Sequence, residues 1–306
     1  MTPQPVQNDH VVVCIPYYKC QKYIRRAVLS ILNQTHRNLT VAVVNDADFN
    51  TPPWPVLADI TDPRLVRYDL MENKGPFFIT QLVLNVTRSP YFLIQDSDDW
   101  SHPQRVAYLL MAVKHERSDL AISAQPQIMA EANGRQSLAE IRWLEKKHGT
   151  GTEAGSRFKI NTKINSDLRY RSPHHGLFKT DTLQKIGGYH PGYRINYDSL
   201  VPNLILMTGK ISHVPVPLYY RFVRGESLTH SRETGVKSAA AAREQQMSKM
   251  LYNVCYENYQ KHLKGHFGKD ALLSSFRHTL KSTVDHATRK SLIGETARFG
   301  SLIGAL

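Results

Sequence analysis

Cysteine is scarce in this 306-residue chain, which carries only Cys14, Cys20 and Cys255. An odd, widely spaced set gives no disulfide framework and fits no common zinc pattern, so the three read as packed side chains. Long apolar runs are missing too, and none approaches the ~20 residues that a membrane-spanning helix needs. The opening Met1-Thr2-Pro3-Gln4-Pro5 lacks the basic-then-apolar layout of a secretory leader, which points to a cytoplasmic location. There is no G-x-G-x-x-G turn and no P-loop, which weighs against dinucleotide and NTPase chemistry. No internal repeat is visible, and the only low-complexity stretch is the run of four alanines at 239–242.

What is present describes a soluble α/β protein. Hydrophobic residues make up 41% and charged residues 21%, enough of each to bury a core and stay in solution. The net charge is +13, yet the first hundred residues are close to neutral. The excess lies in residues 142–171 and in the tail after Lys237. Such an excess favours anionic partners: nucleic acid, an anionic membrane surface or a phosphorylated substrate. Solubility alone explains it equally well.

The first half alternates strands and helices. Val11-Val12-Val13-Cys14-Ile15 is an apolar run ended by Pro16, followed by helical spacing of Ile24, Ala27, Val28, Ile31 and Leu32. A second strand, residues 39–44, ends at Asn45-Asp46. Residues 48–55 are a proline-rich loop, 64–68 a short strand, and Asn73-Lys74-Gly75-Pro76 a turn that opens a helix. This alternation predicts a mostly parallel sheet with helices on its faces. The second half is less regular. It has a helix over 103–116, extended segments at 120–124, 127–130, 172–178 and 211–220, a glycine-rich loop at 149–155, and helices at 180–186 and 197–208. From about residue 235 the texture turns helical, with Met247, Met250, Leu251 and Val254 on one face and Leu272, Leu273, Phe276, Leu280 and Val284 on another. The expected organisation is a domain over 1–234, split near residue 100, and a helical appendage over 235–306.

The sharpest chemical feature is Tyr91-Phe92-Leu93-Ile94-Gln95-Asp96-Ser97-Asp98-Asp99-Trp100. A buried-strand pattern ends abruptly in three carboxylates, at the sheet end where α/β proteins bind ligands. Clustered carboxylates repel, and a hard divalent cation offsets them. An acidic turn before a helix, with Asp99 as a cap, is the plainer alternative. On an extended segment, Asp96 and Asp98 point to the same side.

Taken in order, these segments resemble the family 2 glycosyltransferases of the GT-A fold. The likeness covers roughly residues 10–230 and rests on Val11 to Tyr18, the Ser30-Ile31-Leu32-Asn33-Gln34-Thr35 helix, Val43-Val44-Asn45-Asp46, Asn73-Lys74-Gly75 with Asn85, Asp96-Ser97-Asp98-Asp99 with Pro103 and Arg105, Gly187-Gly188-Tyr189, and Asp198. The resemblance implies an inverting transfer of a sugar from a nucleoside-diphosphate sugar to an acceptor hydroxyl, assisted by Mn²⁺ or Mg²⁺. It places Asp98, with Asp96 and His175, at the metal. Pro16, Tyr17, Asn45, Asp46, Asn73, Gly75, Asp96, Ser97, Arg221 and Arg224 fall around the nucleotide and its diphosphate, and Asp198 becomes the general base. Asn45 departs from the family's usual Asp, which puts recognition of a uracil N–H there in question; Asn45 and Asp46 also suit a plain turn. His174 and His175 are adjacent, so on a strand only one faces inward.

Two other readings keep most of these residues. One glycosylates modified DNA bases through the basic regions. The other is a non-catalytic module that binds sugar nucleotides or nucleic acid. The acceptor itself, whether glycan, lipid-linked glycan, peptide or modified DNA, is not encoded in motifs. The tail suits packing on its own domain, a homodimer contact, or a peripheral membrane contact.

Overall fold

The structure is a computed structural model that describes residues 9–125, 127–129, 159–161, 175–223, 235 and 238–303. The glycine-rich loop, His174, Arg224 and most of the basic stretch at 142–171 lie outside the described residues.

The first strand, β1 (Val11–Tyr17), is apolar throughout and lies at the sheet's centre. Its alternate residues face two separate cores. Val12 and Cys14 join one, while Val11, Val13, Ile15 and Tyr17 join the other, as the two-residue period of a strand requires. Helix α1 (Gln21–Leu32) covers the second face with Ile24, Val28, Ile31 and Leu32. Strands β2 (Leu39–Asn45) and β3 (Leu65–Asp69) extend the sheet in parallel on one side. Helix α2 (Pro76–Val86) is apolar on almost every face and fills the first core, and β4 (Tyr91–Ile94) pairs in parallel with β1 on its other side. The strands β1 to β4 therefore end together, at Tyr17, Asn45, Asp69 and Ile94.

The second half completes two sheets. β5 (Trp100–Ser101) precedes α3 (Arg105–His115), and β6 (Leu120–Ala124), β7 (Gln127–Met129), β8 (Lys159–Asn161) and β9 (Leu177–Lys179) follow. Next come α4 (Thr180–Lys185), α5 (Leu200–Thr208), β10 (Ile211–Pro217) and β11 (Tyr219–Val223). The large sheet has the order β3-β2-β1-β4-β9-β6-β10-β8, and β5-β11-β7 forms a small sheet. β9 is antiparallel to both its neighbours and β8 to β10, so the sheet is mostly, not wholly, parallel. The expected helix at 197–208 starts only at Leu200, which leaves Asp198 in the approach to it.

Three helices end the chain: α6 (Ala239–Leu263), α7 (Lys269–Ser282) and α8 (His286–Ile303). Leu251, Tyr252, Cys255, Leu272, Phe276, Leu280 and Phe299 join the core on the α2 side of the sheet. The expected apolar face of α6 is only partly buried. Leu251 packs inward with Tyr252 and Cys255, while Met247, Met250 and Val254 are exposed. The spacing is helical, but the buried side, which packs on α5 and α7, is rotated toward Ala241, Ser248 and Cys255. No helix among the described residues is long and apolar enough to cross a membrane.

Candidate active site

The acidic segment is a turn, not an extension of β4. The Asp99 N–H donates to the Asp96 carbonyl at 3.3 Å, which closes residues 96–99 as a β-turn. This corrects the expectation that Asp96 and Asp98 share a side. The turn instead brings Asp99 back beside Asp96, and His175 joins them: one ligand atom from each lies within 4.8 Å of the others. Asp98 does not enter this group. Its carbonyl accepts a hydrogen bond from the Arg26 guanidinium. Nor is Asp99 a helix cap. It is buried, and its Oδ1 accepts the Phe222 N–H at 2.8 Å. α3 begins six residues later, with Gln104 as its cap.

Each of the three is held from behind. His175 Nε2 and Asp96 Oδ2 are 2.8 Å apart, with the imidazole buried and the carboxylate 42% exposed. Gly176 follows His175, and a Cβ there would come within 2.6 Å of the Ala121 carbonyl oxygen and 2.5 Å of Leu120 Cδ1. Only glycine lets the backbone lie this close to β6, and that closeness sets where His175 enters the site. Tyr219, on β11, stacks on the His175 ring at 4.6 Å. Its hydroxyl accepts the Asp96 N–H at 3.1 Å and donates to the Asp99 carboxylate. On its far face the Arg105 guanidinium lies 4.2 Å from the ring centroid.

Arg105 is fully buried and acts as the brace of the site. It donates to Gln95 Oε1 at 2.9 Å, Ser101 Oγ at 2.8 Å, and the Ile94 and His175 carbonyls at 3.1 Å each. One guanidinium thus ties the end of β4, β5 and the His175 backbone together. Burial lowers its pKa to about 10, opposed by the charges of Tyr219, Asp99 and Asp96. On the other side of the turn, Arg26 from α1 lies 3.7 Å from the Phe222 ring centroid and near Asp98 and Asp99. Burial, followed by the charges of Asp98 and Asp96, holds the Asp99 carboxyl well above the usual carboxylate range.

Asp198 reaches the same site from the approach to α5. Burial raises its pKa, while the charges of His175 and Arg221 pull it back down. Asp96, Asp99 and His175 thus converge beyond the end of β4, Ser97 is buried within the turn, and Asp198 lies near enough to feel the charges of His175 and Arg221. Arg224 lies outside the described residues.

The residues expected around the nucleotide form a second, self-bonded group. The Asn45 amide donates to Asp69 Oδ1 at 2.7 Å and to the Asp48 carbonyl at 3.2 Å, while its oxygen accepts the Asp48 N–H at 3.0 Å. The Asp46 carboxylate accepts the Lys74 N–H at 2.6 Å and the Gly75 N–H at 2.9 Å. Gly75 has φ +92°, a left-handed conformation that suits glycine, and it starts α2 ahead of Pro76. Asn73 Nδ2 donates to the Asp46 carbonyl at 3.2 Å. Tyr17 is buried, its hydroxyl donating to the Thr51 carbonyl, and Pro16 pairs with Val44 beside it. The polar atoms of Asn45 and Asp46 are thus spent on shaping the loops. Replacing Asp46 by alanine leaves the buried Gly75 N–H and the part-buried Lys74 N–H without their acceptor. Asp46→Ala is expected to lose about 2–4 kcal/mol of stability. Urea denaturation reads this directly; an unchanged midpoint would mean that the Asn73–Gly75 turn does not depend on Asp46.

Sequence reasoning missed Tyr219 and Arg26, gave Asp99 only the role of a cap within the acidic cluster, and noted Arg105 only as part of a motif. Tyr219 and Arg105 carry no local signal of their role, because topology alone brings β11 and α3 to the acidic turn.

The comparisons agree with this architecture. The model of the family described as Glycosyl transferase family 2 matches residues 12–187, more than half of the sequence, and the chain belongs to that family. Among curated relatives, the glycosyltransferase GlyA of Streptococcus pneumoniae is 27% identical over 116 residues, 38% of this chain and 16% of that protein. The chondroitin synthase of Escherichia coli is 30% identical over 113 residues, 37% of this chain and 16% of that protein. The chain thus matches these relatives over a small part of their length. Among solved structures, residues 1–349 of Staphylococcus aureus TarS in complex with UDP-GlcNAc superpose with a TM-score of 0.62 at 18% identity. That match covers 94% of this chain and 80% of the other, and it shows the shared GT-A fold.

Proposed function

We propose that this chain is an inverting glycosyltransferase that moves a sugar from a nucleoside-diphosphate sugar to an acceptor hydroxyl. The observation that carries the reading is the convergence of Asp96, Asp99 and His175 in a chain of family 2, with Asp198 near enough to feel the His175 charge. The donor set of two carboxylates and one imidazole, converging within 4.8 Å, fits Mn²⁺ or Mg²⁺. The Asp99 carboxyl, whose charged form is disfavoured by burial and by the neighbouring Asp98 and Asp96, is the kind of group that a cation relieves. When bound, such an ion supplies Lewis-acid stabilisation of the charge that develops on the departing diphosphate.

The protein groups then divide the work. Asp198 accepts the proton of the acceptor hydroxyl as its oxygen bonds to the anomeric carbon. The bond from that carbon to the diphosphate oxygen breaks on the opposite face, and its electron pair leaves with the diphosphate. A single displacement of this kind inverts the anomeric centre. Arg221 lies near Asp198 and offers a fixed positive charge. The Arg105–Tyr219–His175 stack holds the metal-ligand imidazole in place without touching the substrate. UDP-GlcNAc, the donor bound by TarS in its solved complex, is the first donor to test.

The test is a panel of nucleotide sugars with Mn²⁺, scored by calorimetry for binding and by released nucleoside diphosphate for slow hydrolysis. Binding and hydrolysis of at least one donor are expected. Failure of every donor to bind would overturn the proposal.

A further inference from the structure

We infer that Glu244, on the C-terminal helix α6, is a positioning residue for this site, fixing the segment that delivers Asp198 and, through Arg194, the Asn73 turn. The inference rests on the reading of Asp198 as the base and of the Asn73–Gly75 turn as part of the donor site.

The connection is a continuous run of hydrogen bonds. Glu244 Oε2 accepts the N–H of Arg194 at 3.1 Å and of Ile195 at 2.8 Å. The next residue, Asn196, has a left-handed backbone with φ +58°. Its amide donates to the Ala241 carbonyl at 2.9 Å, and its own carbonyl accepts Ser248 Oγ at 2.8 Å. Residues 241, 244 and 248 form one stripe along α6, so a single helix face grips 194–196 at three points. Asp198 follows two residues later, with Tyr197 buried between as an anchor.

The same segment reaches the nucleotide half. The Arg194 guanidinium donates to the Asn73 backbone carbonyl at 2.9 Å and also to the Asn73 side-chain oxygen. Asn73 in turn bonds the Asp46 carbonyl at 3.2 Å. The two arms therefore meet at residues 194–196, and Glu244 is the charged group that holds them there. A left-handed non-glycine residue carries a backbone cost, least for Asn, so this conformation needs the grip. A carboxylate accepting backbone N–H groups is among the stronger ways to supply it.

The experiment compares Glu244→Ala, Glu244→Gln, Asp198→Asn and the exposed control Glu257→Ala with the wild-type protein. Binding of UDP with Mn²⁺ is measured by calorimetry, turnover by UDP-GlcNAc hydrolysis, and amide exchange over residues 193–198 by mass spectrometry. Glu244→Ala is expected to weaken UDP binding about tenfold and to slow turnover about 10²-fold, as small misplacements of reacting groups do. Exchange in 193–198 should rise. Glu244→Gln keeps an accepting oxygen and should restore both readouts to near wild type, which a loss of charge alone would not do. Glu257→Ala should change nothing. Wild-type affinity and exchange in Glu244→Ala would overturn the inference. If Asp198→Asn keeps full turnover, or if wild-type protein ignores UDP, the base or donor reading falls instead, and the exchange arm still judges the Glu244 link. Should Glu244→Ala fail to fold, Ser248→Ala removes one grip from the same stripe. It should raise exchange in 193–198, and wild-type exchange there would likewise overturn the inference.

Discussion

An Asp198→Asn protein is expected to keep its fold and donor affinity while losing about 10²–10⁴-fold in transfer rate, the share that a positioned general base ordinarily supplies. The amide keeps the shape of the carboxylate but cannot take the acceptor's proton. The pH dependence has a definite sign. Burial raises the folded pKa of Asp198 above its unfolded value. The base works only when deprotonated, so the wild-type rate falls as pH drops through that raised pKa, and the limb lies above the ordinary carboxylate range. Between the two pKa values the folded state binds more protons, so this group's effect on stability turns unfavourable as pH rises through that window. Asp198→Asn removes that penalty and should melt at a higher temperature than wild type near neutral pH. Rates across pH and thermal melts check both halves. A wild-type rate in the variant would remove Asp198 from the reaction.

The second large effect is expected at Asp99. Asp99→Asn keeps Oδ1 as acceptor for the Phe222 N–H but loses the charge that faces Asp96 and His175. Changes behind a metal ligand already cost 10–100-fold in affinity, so losing a ligand charge should weaken Mn²⁺ binding by about 10²-fold or more. Turnover should fall with it. The raised Asp99 pKa adds a signature, because metal uptake favours the ionised form of a carboxyl that burial, Asp98 and Asp96 bias toward its protonated form. Wild-type Mn²⁺ binding should therefore release protons and tighten as pH rises, and calorimetry in two buffers of different ionisation enthalpy measures this. Asp98→Asn, whose side chain lies outside the ligand group, should cost much less. Equal losses in the two variants, or none in Asp99→Asn, would refute the assignment drawn from the turn.

These two variants mark where the sequence was legible and where it was not. The strands ending at Tyr17, Asn45 and Ile94 were readable, because a strand buried on both faces writes itself as an unbroken apolar run. Their shared direction followed from the alternation with helices, and so did the placement of the acidic segment. Which carboxylates meet was not readable. Alternation assigns Asp96 and Asp98 to one side only if the chain stays extended, and the Asp99 N–H to Asp96 carbonyl bond folds it instead. Asp198 and His175 were proposed from the resemblance, but Tyr219 sits 123 residues from the Asp96 that it supports, a pairing fixed by sheet order alone. The exposed Met247, Met250 and Val254 show the same limit on α6. Periodicity reveals that a helix has faces, not which of them a distant sheet will cover.

The last helix has a consequence for how the chain is made. Tyr68 on β3 donates to Glu295 at 2.6 Å across 227 residues, and Phe299 packs on the same ring at 4.6 Å. Asn85, near the end of α2, donates to Thr296 at 3.3 Å. During vectorial synthesis residues 9–100 emerge before α8, and this flank of them stays uncovered until α8 has left the ribosome. A nascent chain stalled before α8 would leave Tyr68 and the end of α2 facing water, and the arrival of α8 would close that flank.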